Sequence, residues 1–216
     1  MIYFRKYNII QKNNKRRFYQ IYDIKKGRRM ISGKAQFLIA MPALEKSIFT
    51  DTVIIMAEME DTGALGFIIN IPTGTKVNDA LKLLQNDSSI DKDIQILFGG
   101  PVQTDFFWFI HSNSYESKST IKIHPDIHLS SALEILPLLN TQEAPEIYFS
   151  GVGYSGWGVD QLNREIEEGV WWMGEFELSL LFDTPPDQQW NTAIKTLGAD
   201  PEHLIDLTDP LDPIVN

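Results

Sequence analysis

The 216-residue chain contains no cysteine, and this absence excludes several kinds of chemistry at once. Disulfides, thiol nucleophiles, thiolate zinc sites and cysteine-ligated iron–sulfur clusters all require the missing side chain. Long hydrophobic runs are missing too: apolar stretches such as 53–57 and 106–110 hold five residues each, whereas a membrane-spanning helix needs about 18 or more. We therefore predict a soluble, cytoplasmic protein that does not associate with membranes.

Basic residues are scarce everywhere except at the start of the chain. Residues 1–30 hold ten Lys and Arg against one acidic residue, whereas residues 31–216 hold nine basic and 28 acidic residues, a net charge of −19. This change of sign predicts a basic N-terminal extension over 1–30, a domain over 31–200 and an acidic tail over 201–216. Because affinity for duplex DNA rests on cationic contacts, the acidic domain is not expected to bind DNA directly. Aromatic residues interleave with the cations of the extension, a composition compatible with nucleic-acid contact by that segment alone.

Short apolar runs between turn signals predict a mixture of strands and helices. Strands are predicted at 35–40, 52–58, 64–71, 94–98, 105–111, 120–123 and 146–150, and the second and third of these form a hairpin across the turn EDTG. The segments VWWM (170–173) and ELSLLFD (177–183) are also strand-like. Apolar residues at helical spacing predict helices at 76–85, 129–139, 160–168 and 187–197.

The stretch EIYFSGVGYSGWGVDQLNREIEEG carries Gly151, Gly153 and Gly156 in the spacing G-x-G-x-x-G. A dinucleotide-binding loop of that spelling would set the N-terminus of a helix against a pyrophosphate. Trp157 stands where such a helix must pack closely on its strand, and Asp160 would place negative charge beside the phosphates. We therefore interpret the stretch as a turn between a strand and a short helix, expect Gly151→Ala to be mild, and predict no bound cofactor.

Histidines offer the other chemical candidates. His124, Asp126 and His128 could supply three metal ligands, but Pro125 opposes the helix that would align them, and no metal site is predicted. His111 ends a predicted strand, where a hydrogen-bonded core or rim histidine is more typical than a general base.

A ligand site is most plausible where the segments GFIIN, FGGP and GYSGWGVDQL converge, because polar side chains and flexible backbone occur together there. The residues predicted to bind a ligand at this place are Asn70, His111, Tyr154, Trp157 and Gln161. Gln161 and Glu165 are helical neighbours and are expected to form a solvated face.

Four segments resemble the successive signature blocks of the AlgH/YqgE family, in order and at the expected spacing. They are GKAQFLIAMPALEKSIFTDTVIIMAEMEDTGALGFIINIP, ILFGGPVQTDFFWFIHS, GYSGWGVDQLNREIEEGVWW and LFDTPPDQQWNTAIKTLGAD, and they extend from Gly33 to Asp200. The firm positions of the family's last loop match Gly153, Tyr154, Trp157, Gln161 and Leu162. The other two glycines vary among members, which implies that the dinucleotide spelling is accidental. Met59 departs from the family, since many members place a histidine there.

The resemblance implies an α+β fold, with a bifurcated mixed β-sheet curled into a pseudo-barrel and flanked by helices. Some members of the family are labelled transcriptional regulators, and no reaction is assigned to the family. We favour a non-catalytic regulatory or interaction protein with an unknown protein partner. Two alternatives stay open: a small-ligand or nucleotide-processing enzyme that uses the glycine-rich loops, and a regulator that contacts DNA through its extension. The enzyme requires a pocket that holds Asn70, His111 and Tyr154.

Overall fold

The computed structural model describes residues 19–23, 28–32, 36–44, 46–60, 62–83, 89–175, 177–201 and 204. Residues 1–18 of the predicted extension and residues 205–216 of the predicted tail lie outside this part of the chain. The boundaries predicted for both segments therefore remain predictions. Leu204, four residues into the predicted tail, is buried against the core.

The described residues form two β-sheets. The smaller sheet pairs β1 (Tyr19–Asp23) with β2 (Arg28–Ser32) in antiparallel orientation. The larger sheet has ten strands: β3 (Gln36–Ala40), β4 (Val53–Glu60), β5 (Gly63–Ile68), β6 (Pro72–Lys76), β7 (Gln95–Phe98), β8 (Val102–Ser112), β9 (Ile121–His124), β10 (Ile127–Ser131), β11 (Tyr148–Trp157) and β12 (Trp171–Glu175).

Short helices connect and cover these strands. They are α1 (Val77–Leu83), α2 (Ala132–Ile135), α3 (Gln161–Glu167), α4 (Leu178–Phe182) and α5 (Pro186–Thr196). Two 3-10 turns, Pro42–Leu44 and Leu136–Leu138, add to them. Within the described ranges, no helix has the length and apolar character needed to cross a membrane.

The larger sheet branches at β11. Its main path runs β12-β3-β4-β5-β11-β8-β10-β9, and β7 joins β11 with β6 at its far side. Residues 150–152 of β11 pair with β7 in parallel, and residues 155–157 pair with β5 in antiparallel orientation. Strands β4 and β9 approach each other without pairing, so the sheet curls but stays open. The predicted α+β class and bifurcated mixed sheet are confirmed.

Both faces of the sheet are covered, which explains the nearly continuous apolar runs of β3 and β4. Phe37 and Ile39 of β3 enter one apolar cluster, with Ile194 of α5. Leu38 of the same strand points into a second cluster, which includes Leu162 of α3. A third cluster lies beneath α1 and α2. The hairpin predicted between β4 and β5 is confirmed.

The strand predicted for the segment ELSLLFD is wrong, because this segment forms helix α4. Its adjacent residues Leu180 and Leu181 are both buried in the core. The Nε2 group of the buried Gln189 donates to the Leu180 carbonyl over 3.0 Å. A short apolar run has no period that separates a strand from a buried helix, and here tertiary packing decided.

The helix predicted at 129–139 is wrong in its first part. Leu129 lies in β10, and α2 begins only at Ala132. Leu133, expected on the apolar face of that helix, is 86% exposed. Because β10 continues to Ser131, the helix begins later than predicted. Its buried face therefore does not coincide with the leucine spacing from which the helix was predicted.

Candidate functional site

The three glycine-rich segments that were expected to converge do meet, at the branch of the larger sheet. The amide of Ile68 donates to the Gly99 carbonyl over 3.0 Å, and the Gly99 amide donates to the Val152 carbonyl over 2.8 Å. The Ser155 hydroxyl donates to the same Gly99 carbonyl over 3.3 Å. The segments therefore meet as hydrogen-bonded, closely packed backbone.

Glycine is required at this junction because there is no room for a Cβ atom. At Gly66, Gly99, Gly100, Gly151 and Gly153, a Cβ atom would lie closer than 3.0 Å to a neighbouring atom. Such close approach of backbone to its surroundings is a recurrent reason for glycine in strands. We call these five positions the glycine junction.

The G-x-G-x-x-G stretch lies inside a strand, so its interpretation as a turn is wrong. Gly151, Gly153 and Gly156 all belong to β11. Gly153 has φ +73° and lies where the register with β8 shifts. The expectation of a mild Gly151→Ala is also contradicted, since its Cβ atom would strike the indole of Trp108. That indole is fully buried and donates to the Gly153 carbonyl over 2.7 Å.

Two of the predicted site residues, Trp157 and Gln161, come together around Glu165. The indole Nε1 groups of Trp157 and Trp171 each donate to Glu165 Oε2 over 2.8 Å. Gln161 Nε2 donates to Glu165 Oε1 over 2.8 Å. Gln161 Oε1 in turn accepts from the Gly158 amide over 3.0 Å. We call Trp157, Gln161, Glu165 and Trp171 the indole–carboxylate cluster.

The solvated face predicted for Gln161 and Glu165 is therefore wrong. Strands β11 and β12 bring two buried indoles against α3, with the ring centroids of Trp157 and Trp171 5.9 Å apart. Each indole N–H needs an acceptor when buried, and the carboxylate supplies it. Hydrogen bonds to a charged group contribute about 1.5–3 kcal/mol each, so the cluster ties β11, α3 and β12 together. Sequence reasoning missed Glu165, although two tryptophans on the strands before and after helix α3 were a signal for a shared acceptor on that helix.

Asn70 fastens the backbone at the start of β4. Its Oδ1 atom accepts from the Val53 amide over 2.8 Å, and its Nδ2 group donates to the Asp51 carbonyl over 2.7 Å. Both ends of the amide side chain are therefore engaged by backbone. This arrangement holds the end of β5 beside the entry into β4.

His111 is fully buried on β8. Its Nδ1 atom lies 2.8 Å from the Ser112 carbonyl, and its Nε2 atom lies 3.0 Å from the Ser130 hydroxyl. Burial lowers the pKa of His111 below its ordinary value of 6.5, and the neighbouring His128 lowers it further. The structure thus holds His111 as a hydrogen-bonded core histidine.

Tyr154 packs against the core, with its ring 6.5 Å from that of Phe67. Burial raises the pKa of its hydroxyl. His111 does not lie near it: His111 is opposite Tyr148 in the β8–β11 register, six residues from Tyr154 along β11. At about 3.3 Å per residue, that spacing corresponds to about 20 Å. The two titratable residues of the predicted pocket are therefore not brought together.

The histidines of HPDIH do not assemble a metal site. His124 Nδ1 lies 3.4 Å from Asp126 Oδ2 on the turn between β9 and β10. The His128 ring instead faces His111, with centroids 5.9 Å apart. In the part of the chain that the structure describes, no group of three His, Cys, Asp or Glu side chains is placed to hold a metal.

The branched open sheet, the helices on both of its faces and the glycine junction together define one class of α+β domain. The chain belongs to the AlgH-like family (DUF179), whose family model matches residues 37–202. The resemblance drawn from the four sequence segments is therefore confirmed.

Relatives and solved structures agree with this assignment. A UPF0301 protein of Photobacterium profundum is 33% identical over 176 residues, covering 78% of this chain and 93% of that protein. A UPF0301 protein of Thioalkalivibrio sulfidiphilus is 35% identical over 166 residues, covering 76% and 89%. The solution structure of the AlgH protein from Pseudomonas aeruginosa superposes with a TM-score of 0.67 at 30% identity, covering 84% of this chain and 95% of that one. A protein from Corynebacterium diphtheriae shares the fold, with a TM-score of 0.57 at 16% identity over 81% of this chain and 91% of that one. None of these names states an activity.

Proposed function

We propose that this protein is a non-catalytic regulatory or interaction protein of the cytoplasm, and that any effect on transcription passes through a protein partner. One observation carries the proposal: four of the five side chains expected to bind a ligand have their polar atoms engaged within the chain. Asn70 holds backbone, His111 bonds Ser112 and Ser130, and Trp157 and Gln161 bond Glu165. Side chains committed in this way stabilise the fold and are not free to bind a substrate.

The electrostatic balance supports an indirect effect on transcription. The net charge of −19 over residues 31–216 repels phosphate at every approach. A protein partner faces no such barrier, because specific protein interfaces use apolar and aromatic anchors.

The free edge of the larger sheet offers such an anchor. Among the described strands, β12 pairs only with β3, so one of its edges has no strand beside it. Trp172 of β12 is 36% exposed. An unpaired strand edge presents backbone donors and acceptors to another chain, and tryptophan is enriched at the centre of interfaces.

Site-specific photo-crosslinking in the host tests this proposal. The full chain would carry a photoreactive phenylalanine analogue at Trp172 or, on another face, at Leu133. The exposed Lys118 serves as the control position. We expect the same protein to be captured in repeated experiments from Trp172 and not from Lys118. Capture of no protein, together with a small molecule that copurifies in stoichiometric amount, would contradict the proposal.

The alternative is a small-ligand or nucleotide-processing enzyme that uses the glycine-rich segments. The observation that favours it is Tyr154, a residue of β11 next to the glycine junction whose hydroxyl has a pKa raised by burial. Perturbed titratable groups are enriched at functional sites. Mass spectrometry of small molecules extracted from the purified full chain separates this alternative from the proposal.

A further inference from the structure

The hydrogen bonds of His111 determine which ring nitrogen carries the hydrogen when the ring is neutral. Nδ1 faces the Ser112 carbonyl, which can only accept, so Nδ1 carries the hydrogen of the neutral ring. Nε2 is then an acceptor, and it lies 3.0 Å from the Ser130 hydroxyl. His111 and Ser130 are both buried. A second proton can therefore reach this ring only at Nε2 and only by way of Ser130.

A row of hydroxyl groups leads from this nitrogen toward the surface. Ser130 Oγ lies 3.0 Å from Thr120 Oγ1, and Thr120 Oγ1 lies 3.2 Å from Ser117 Oγ. Ser117 Oγ donates to Glu134 Oε2 over 3.0 Å. Thr120, Ser117 and Glu134 are each partly exposed. We call Ser130, Thr120 and Ser117 the hydroxyl relay; it joins a buried base to a carboxylate at the surface.

We propose that His111 is a proton-binding site that exchanges with solvent through the hydroxyl relay, with Glu134 as its outer group. A proton taken up by the Glu134 carboxylate passes to Ser117, and each hydroxyl hands its own hydrogen to the next. The hydrogen of Ser130 goes to His111 Nε2. Each hydroxyl gains one proton and loses one, the carboxylate regains its charge, and the imidazole becomes a cation.

The relay also accommodates the charged ring once the proton has arrived. Protonated Nε2 donates to Ser130 Oγ, so the Ser130 hydrogen turns to Thr120, and the Thr120 hydrogen turns to Ser117. Ser117 still donates to Glu134. A hydroxyl can donate and accept, which lets the whole row reverse without leaving a buried group unpaired.

Several titratable groups surround His111 and act in opposite directions. Desolvation and His128 lower its pKa, whereas the bond to Ser112 and the Glu134 carboxylate raise it. The groups on the packed elements are Tyr115 in the loop after β8, His128 on β10, Tyr148 on β11, Glu134 on α2, and the surface ion pair of Lys122 on β9 with Glu116. This proton-binding site at His111 does not depend on the regulatory or interaction role proposed for the protein.

NMR titration of the imidazole nitrogens in the full chain tests the relay. We expect wild-type His111 to bind a proton reversibly below pH 6.5 while the protein stays folded. In Thr120→Val, the Ser130 hydrogen has no acceptor when the ring is charged. The loss of that hydrogen bond should reduce the protonation constant of His111 about tenfold.

Three further variants make the result specific. Thr120→Ser restores the hydroxyl and should restore the wild-type protonation constant. Thr141→Val is the matched control, because it makes the same substitution outside the relay, at a hydroxyl that donates to the Leu138 carbonyl over 2.8 Å. If Thr120→Val does not fold, Ser117→Ala interrupts the relay at its next member. Equal protonation constants in wild type and the interrupted relay, or a His111 that stays neutral until the protein unfolds, would overturn the proposal.

Discussion

Gly151→Ala tests whether the glycine spacing in β11 serves close packing or a ligand. The added Cβ atom would lie closer than 3.0 Å to two atoms of the Trp108 ring and 2.9 Å from the Leu97 carbonyl oxygen. Trp108 has no space to retreat, because it is fully buried and its indole is bonded to Gly153. Leu97 is fixed as well, since it is paired with Gly151 in the β7–β11 ladder.

The expected cost follows from that rigidity. An extra methyl group in a closely packed core costs about 1–3 kcal/mol, and a site in which neither neighbour can move belongs at the upper end. For a domain of this size each kcal/mol lowers the melting temperature by about 2–4 °C, so Gly151→Ala should lower it by about 6–12 °C.

Thermal denaturation followed by circular dichroism measures this effect, with NAD absent and present. Gly158→Ala is the matched control, because its Cβ atom would meet only Gln161 Oε1, at 3.8 Å. The control should melt with the wild type, and NAD should change none of the curves.

One pattern of results would refute the packing argument. In that pattern, Gly151→Ala melts at the same temperature as the wild type. In addition, NAD raises the melting temperature of the wild type by several degrees and does not raise that of Gly151→Ala. A dinucleotide-binding loop requires that pattern, because the glycine then serves the approach of a pyrophosphate and not the packing of Trp108.

Four further outcomes are expected. Trp157 is 4% exposed and bonded to Glu165, so Trp157→Ala should lower the free energy of unfolding, measured by urea denaturation, by about 3–5 kcal/mol. Trp172→Ala should lower it clearly less, and equal losses would contradict the burial argument. Because burial lowers the pKa of His111 below 6.5, the unfolded chain binds the extra proton first. Stability should therefore fall as the pH drops through 6.5 and level off below the folded pKa; a urea midpoint no more pH-dependent in wild type than in His111→Gln would contradict this. Deletion of residues 1–29 should leave the melting temperature nearly unchanged, and a large loss of stability would contradict this expectation. Residues 30–216 should show no sequence-specific duplex binding in mobility shifts at physiological salt, and a shift that distinguishes one duplex from another would contradict it.

Local sequence was sufficient for the elements with strong, continuous patterns. The apolar runs of β3 and β4 and the turn between β4 and β5 predicted the strands and their hairpin, because β-branched residues between turn signals favour an extended segment. The four signature segments identified the family, and with it the bifurcated sheet.

Tertiary structure alone decided what depends on neighbours distant in sequence. A glycine in a turn and a glycine in a strand cannot be distinguished in the sequence. Only the close approach of the Trp108 indole to Gly151, and of the Gly100 backbone to Gly153, explains why glycine is needed at these positions. Glu165 has the spacing of a solvated helical face, and two indoles from strands β11 and β12 make it a shared, partly buried acceptor. His111 and Glu134 are 23 residues apart in the chain, and the folding of β10 and the 113–120 loop places three hydroxyls between them. Side-chain periodicity reports which residues are buried, whereas the partner that each buried polar group meets is set by the packing of the whole sheet.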